Sequence, residues 1–179
     1  MAMGCIADRI WRVPGTIPAL TAASREVGEW LSAQGLRPRV PYVVQLVVEE
    51  LGTNIVKYGY DSPPPHEFQV HVAIGADAVR VSVEDDGHPF DPFARPARPV
   101  EEVLETCREG GLGIELVRQV CRSCRYRREG GLNRVDLEIA RRLPDDELDA
   151  MGALDTIDAL EAVSRAAGGG PRQQKEGKV

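Results

Sequence analysis

From Tyr42 to Tyr58 the chain reads as a helix that is apolar on most of its circumference. Such a helix must be buried along most of its length, so the rest of the chain has to wrap around it. A second helical stretch lies upstream, Ile17 to Ala33, with Leu20, Ala23, Val27 and Leu31 at helical spacing and Thr16 just before it. Gly35, Pro38 and Pro41 punctuate the link between the two. Ile10, Trp11 and Val13 form a short strand ahead of them, stopped by Pro14-Gly15. Downstream the period changes from helical to alternating. Phe68, Val70, Val72 and Ile74 make one strand, Val79, Val81 and Val83 the next, and Gly75-Ala76-Asp77 the turn between them.

His88 to Gly110 follows, a proline-punctuated segment with little periodicity except Val100 to Leu104. Loops of that length within a compact domain are usually functional or disordered. A glycine-opened helix, Gly113 to Cys121, then leads into Cys124 to Arg128 and Val135 to Ile139, a hairpin turning at Gly130-Gly131. The order β-α-α-β-β-lid-α-β-β predicts an α+β fold: a two-layer sandwich with a mixed, mostly antiparallel sheet and helices on one face. Aromatic residues are only 5% of the chain, so its core must be mainly Val, Leu, Ile and Ala.

Pro144 opens a different texture. Three regions are expected: a domain over 1–143, an acidic amphipathic helix within 144–167, and a Gly-rich, polar, disordered tail over 168–179. The 179 residues carry a net charge of −6, which argues against a general nucleic-acid binder, because neutralising phosphates needs a basic surface. Arg122, Arg125, Arg127 and Arg128 read as a solvated strand-and-turn face. No apolar run reaches the roughly 18 to 20 residues of a membrane span, and the start has no long apolar h-region, so a cytoplasmic protein is expected. Cys121 and Cys124 have CxxC spacing, but no second pair or nearby histidine completes four zinc ligands. They read as two small residues where a helix runs into a strand.

Three features can carry chemistry. Glu50 and Asn54 are four residues apart and stack on one face of the apolar helix, with Glu49 adjacent. A carboxylate and an amide facing one cavity suit a water, a hydroxyl or a hard cation such as Mg²⁺; alone, the pair more often has a solvated or capping role. Asp85 falls on the same strand face as Val79, Val81 and Val83, the core face. A buried carboxylate needs a partner, such as the exocyclic amine of adenine, and Gly87 lets the chain turn and a flat ring approach. An ordinary Asp-Gly turn is the plainer reading of that segment. Gly110-Gly111-Leu112-Gly113 runs straight into a helix, and bare N–H groups at a helix start suit a phosphate, as a hinge also would use the glycines.

Taken in order, E-x-x-x-N on a helix, D-x-G at a strand end, a long lid and G-x-G opening a helix resemble the N, G1 and G2 boxes of the GHKL ATPase superfamily. The resemblance is closer to anti-sigma kinases of the sporulation and general-stress type. Glu50-Leu-Gly-Thr-Asn54-Ile-Val-Lys-Tyr-Gly59-Tyr60 is similar to their N box, Asp85-Asp-Gly87-His-Pro89-Phe90-Asp91-Pro92 to G1, and Gly111-Leu-Gly113-Ile to G2. It covers about residues 8 to 143. It implies the Bergerat fold, ATP and Mg²⁺, with Asn54 ligating the metal and Glu50 as catalytic base. It implies further that Asp85 accepts the adenine N6 hydrogen bond and that Gly87, Gly111 and Gly113 line ring and phosphates. Arg25 matches a first-helix arginine that can reach phosphate across a dimer.

The implied activity is a serine/threonine kinase that phosphorylates a STAS-type anti-sigma-factor antagonist and alternatively sequesters a sigma factor, as a homodimer. The rival readings are a non-catalytic, ATP-gated binding module and a phosphate-relay or ATPase accessory domain; Glu50 favours the kinase. Two positions depart from the family. Asn133 and Arg134 stand where a threonine often supports the adenine-binding aspartate through water, and Glu109 stands where an arginine often precedes G2. The chain has no histidine-bearing dimerisation helix, which argues against a complete sensor histidine kinase. His66, His71 and His88 have no assigned role.

Overall fold

The computed structural model describes residues 5–62, 65–96 and 112–141. Within them the chain forms β1 (Ala7–Pro14), α1 (Ile17–Ala33), α2 (Arg39–Tyr58), β2 (Glu67–Ile74), β3 (Ala78–Asp85), α3 (Leu112–Val120), β4 (Ser123–Glu129) and β5 (Leu132–Ala140). The regions expected at 144–167 and 168–179 and most of the His88–Gly110 segment lie outside the described residues.

Local chemistry explains the helix ends. Thr16 is extended, and its hydroxyl accepts from the Ala19 N–H at 3.4 Å, capping α1, with Pro18 in the first turn. The expected limits of α1, Ile17 and Ala33, are those observed. The second helix starts at Arg39, three residues before the expected Tyr42. Pro38 and Pro41 mark the start of this helix rather than a linker, because the first four N–H groups of a helix have no internal partner and proline loses nothing there.

The five strands form one sheet in the order β1-β2-β3-β5-β4, and every pairing is antiparallel. The sheet is therefore antiparallel throughout the described residues rather than mixed. Gly130 and Gly131 have φ of 60° and 88°, the left-handed turn that joins β4 to β5. Alternation gives the sheet two unlike faces. Trp11, Val13, Phe68, Val70, Val72, Val79, Val81, Val83, Val135, Leu137 and Ile139 point to one side and are buried. They share a single core with Leu20, Val27 and Leu31 of α1, Val44, Val47, Val48 and Leu51 of α2, and Val117 of α3. Valine and leucine fill most of it, with Phe68 and Trp11 as the aromatic members.

The other face is polar and half-buried. Arg134 pairs with Glu84 at 3.6 Å and with Asp136 at 3.0 Å, Arg127 with Asp136 at 3.3 Å, and Arg80 with Glu138 at 3.8 Å. This is the two-layer α+β sandwich that the element order implies, with α2 between α1 and α3 and its sheet-facing side over β3 and β5. Among the described residues no helix is long and apolar enough to cross a membrane.

Candidate functional site

The inward face of the sheet is apolar until its last row. There Asp85 is directly opposite Asn133 on β5, and Asn133 is directly opposite Arg128 on β4. Asp85 is 9% exposed and Asn133 4%. The carboxylate does not sit bare in the core. Its Oδ1 accepts from the Gly87 N–H and from Asn133 Nδ2, both at 2.9 Å. Among the described residues no hydrogen bond reaches Oδ2. Burial pushes the Asp85 carboxyl up from its ordinary value; the hydrogen bonds from Asn133 and Gly87 and the charge of Arg128 work against that rise, and Asp86 adds to it.

Asp85 lines a cavity of about 150 Å³, a size that takes a single flat ring. Its walls are Leu51 and Ile55 of α2, Val83 of β3, Val135 of β5 and the loop residues Pro89, Phe90 and Pro92; Asn54, His88 and Asn133 are its other polar members. An apolar slot with a few convergent polar groups is the usual form of a small-molecule site. The loop after α2 and the loop after β3 are tied together at its mouth. The His88 N–H donates to the Gly59 carbonyl at 2.9 Å, the Tyr60 hydroxyl donates to Asp86 at 2.7 Å, and His88 pairs with Asp61 at 3.0 Å. Burial and the Asp86 hydrogen bond push the Tyr60 hydroxyl well above its usual range, so it remains a donor.

The helical spacing brings Asn54 to the cavity but takes Glu50, one turn earlier, elsewhere. Glu50 Oε2 abuts Gly113 in the first turn of α3, so closely that a Cβ at 113 would overlap the carboxylate. Glu49 faces away and accepts a hydrogen bond from Ser24 on α1 at 2.9 Å. Gly87 is also a point of close approach, but against backbone. A Cβ there would lie 2.5 Å from the Gly59 carbonyl oxygen. That contact between loops by itself demands glycine at 87.

Arg118 on α3 donates to the carbonyls of Phe93 at 2.7 Å and Arg95 at 2.6 Å, with its guanidinium 5.1 Å from the centre of the Phe93 ring. It thereby holds the described start of the His88–Gly110 segment against α3. Arg25 is exposed on α1 and pairs with Glu29 at 2.8 Å, away from the cavity wall. Gly111 lies outside the described residues. Cys121 and Cys124 are free, half-buried thiols at the junction of α3 and β4.

The donor set is suited to a hard cation only with help. Among the described residues no group of three or more His, Cys, Asp or Glu could hold a metal. Asn54 brings one amide oxygen to the polar rim. That fits Mg²⁺, which keeps waters and commonly takes one or two protein ligands together with phosphate oxygens.

Arg128 and Arg118 contact the candidate site without having been singled out for it in the sequence, and Asn133 and His88 were placed in motifs there without a role of their own. Asn133 was legible in part, because it has the same strand parity as Val135, Leu137 and Ile139 and therefore faces the core. Arg128 belongs to this row too, and donates to Asn133 Oδ1 at 2.6 Å instead of joining a purely solvated arginine face.

The model of a family described as histidine kinase-like ATPase domain matches residues 13–139. The serine/threonine-protein kinase BtrW of Bordetella bronchiseptica is 27% identical over 114 residues, which are 60% of this chain and 79% of that protein. The SiaB–SiaC complex of Pseudomonas aeruginosa contains a chain that superposes with a TM-score of 0.52 at 16% identity, covering 74% of this chain and 89% of its own. The RsbU and RsbW domains of a Mycobacterium tuberculosis protein give a TM-score of 0.52 at 18% identity over 76% of this chain, but only 33% of that longer one. At these identities the two structures bear on the fold alone.

Proposed function

This chain belongs to the histidine kinase-like ATPase family, and from that premise we propose that it binds ATP and transfers the γ-phosphoryl group to a serine or threonine of a STAS-type anti-sigma-factor antagonist. Phosphorylation of that partner would govern a sigma factor by partner switching, with residues 1–143 as the working domain, paired as a homodimer. The observation that carries the reading is Asp85: a buried carboxylate lining an apolar cavity, whose Oδ1 is held by the protein while no hydrogen bond among the described residues reaches Oδ2. An exocyclic amine would supply that hydrogen bond. A 27% identical serine/threonine kinase supports the reaction class.

Phosphoryl transfer asks a protein for position and charge neutralisation more than for covalent help. Leu51, Ile55, Val83 and Val135 would hold the base. Mg²⁺, held through Asn54 and the phosphates, would supply the neutralising charge. Gly113 and the start of α3 would face the phosphates with unpaired N–H groups, and Gly111 would extend that contact. Glu50, beside Gly113, would take the proton of the attacking hydroxyl.

The test is calorimetry with ATP and GTP, with and without Mg²⁺, followed by transfer from γ-labelled ATP to partners recovered from the native host. Equal affinity for ATP and GTP would remove Asp85 as the reader of the base. Tight ATP binding with no transfer to any recovered partner would leave an ATP-gated binding module.

A further inference from the structure

The row Asp85–Asn133–Arg128 spans three strands and ends the core face of the sheet. At its centre the Asn133 amide is saturated. Its Nδ2 donates to Asp85 Oδ1 at 2.9 Å and to the His88 carbonyl at 2.8 Å. Its Oδ1 accepts from the Tyr126 hydroxyl at 2.9 Å and from Arg128 Nη1 at 2.6 Å. Two N–H donors and two lone pairs are all that an amide has. Turning the amide over would set oxygen against a carboxylate and a carbonyl, and N–H groups against a guanidinium. A longer contact at 3.4 Å also runs from Nδ2 to the Gly87 carbonyl, so these partners fix the orientation and no unshared N–H or lone pair is left for a ligand. Whatever it does for the site passes through Asp85.

We propose that Asn133 is the positioning residue that sets purine selectivity, pinning Asp85 so that only Oδ2 meets the base and a 6-amino purine is accepted over a 6-oxo purine. The inference rests on the ATP-binding reading of the cavity. A 6-amino group donates to Oδ2, whereas a 6-oxo group would put oxygen against oxygen and leave a buried acceptor unpaired. Asn133 contributes in two ways. It stops the carboxylate from rotating, and its N–H stabilises the ionised form against burial. The other polar groups around Asp85 are Asp86 and His88 in its own loop, Tyr60 after α2, Asn54 on α2 and Arg128 on β4. Without the Asn133 donor the carboxyl is freer to turn and more readily protonated. A protonated carboxyl donates a hydrogen bond, which a 6-oxo purine can accept. Loss of Asn133 should therefore change preference, not merely weaken binding.

The experiment measures ATP and inosine triphosphate affinities of the full chain by calorimetry across pH, in the parent, Asn133→Leu, Asn133→Thr and Tyr126→Phe. The parent should prefer ATP by about tenfold to a hundredfold, the scale of one buried hydrogen bond. Asn133→Leu should bring the preference to within about threefold and move the acid-side loss of ATP binding to higher pH. Asn133→Thr keeps a hydroxyl donor and should retain most of the preference. Tyr126→Phe, which leaves Asn133 in place with one anchor fewer, should fall between. A purely structural role would weaken both nucleotides alike and leave the pH profile where it was. A folded Asn133→Leu protein with the parental ratio and profile overturns the inference. Should that variant fail to fold by circular dichroism, a parental ratio and pH profile in Tyr126→Phe overturn it instead. A parent that binds neither nucleotide overturns the ATP-binding reading and this inference with it.

Discussion

At the β3–β5 end of the cavity, Asp85, Asn133 and Arg128 stand opposite one another on three paired strands, and the neighbour of Gly87 is a backbone carbonyl. Outside the cavity lining, Glu50 of α2 meets Gly113 of α3 through a flexible side chain. The first arrangement is held by ladder hydrogen bonds and a saturated amide, so a shift in one member forces shifts in the rest. The second contact is made by a side chain, whose rotamers allow more adjustment than backbone does. A site that must read one base but accommodate moving phosphates gains from this division: rigid where it discriminates, adjustable where chemistry proceeds.

The largest effect should come at the adjustable end. Glu50→Ala is expected to slow partner phosphorylation by about 10² to 10⁴, the range for a general base, with ATP affinity within a few-fold of the parent. Asn54→Ala should instead lose most Mg²⁺-dependent affinity and all transfer together. Calorimetry and labelled transfer separate the two, and circular dichroism checks the fold. A Glu50→Ala protein transferring at the parental rate would end the kinase mechanism and leave the ATP-gated module.

The two glycines test rigidity directly. Gly87→Ala drives a Cβ to 2.5 Å from the Gly59 carbonyl, and should cost about 1–3 kcal/mol in urea unfolding. The nearest atoms that Gly113→Ala meets belong to the Glu50 side chain, so stability should hold or rise, by up to about 1 kcal/mol from the better helix former. Transfer should fall all the same, because the displaced group is the proposed base. Equal stability losses in both variants would erase the distinction between the two ends.

Asp85→Asn is expected to weaken ATP by about 1–3 kcal/mol, without touching the phosphate end. The pH dependence sharpens the same point. Asp85 has a raised folded-state pKa, so the native protein holds that proton more tightly than the unfolded chain. Its contribution to stability is then full below the unfolded value and lost as pH rises through the folded one. ATP needs the ionised acceptor, so affinity falls as pH drops through that same raised value. Acidification should thus loosen ATP while Asp85 itself favours the fold. Asp136, on the outer face, runs the opposite way. Burial works upward on it, but hydrogen bonds from Ser82 and Arg134 and the charges of Arg134 and Arg127 bring it below the ordinary range. Its contribution is present above the unfolded value and is lost as pH falls through the folded one. Undiminished acid-side loss of ATP in Asp85→Asn would assign the titration elsewhere.

The smallest effect belongs to Arg25. It is an exposed partner in an i,i+4 pair, and Arg25→Ala should change stability by less than about 0.5 kcal/mol. Any loss of transfer in that variant, measured against its unchanged fold, would mark a phosphate contact made from a second copy.

Most of the architecture was legible residue by residue. The limits of α1 follow from the Thr16 cap and the period of Leu20, Val27 and Leu31, and the inward face of Asp85 from the parity of Val79, Val81 and Val83. Each is a local property: a helix repeats every 3.6 residues and a strand every two, so neighbours in sequence report on one another. The polar half of the site was not legible in this way. Asn133 is 48 residues from Asp85, and whether the two meet depends on the β3–β5 register. The separation of Glu50 from Asn54, one to the start of α3 and the other to the cavity, depends on where α3 packs against α2. Sequence alone therefore determined which elements form and which face each residue takes, because those rest on periods within a segment. Which residues from distant segments share a hydrogen bond was decided only by the packed core, whose side-chain volumes set the register and the angle at which the segments meet.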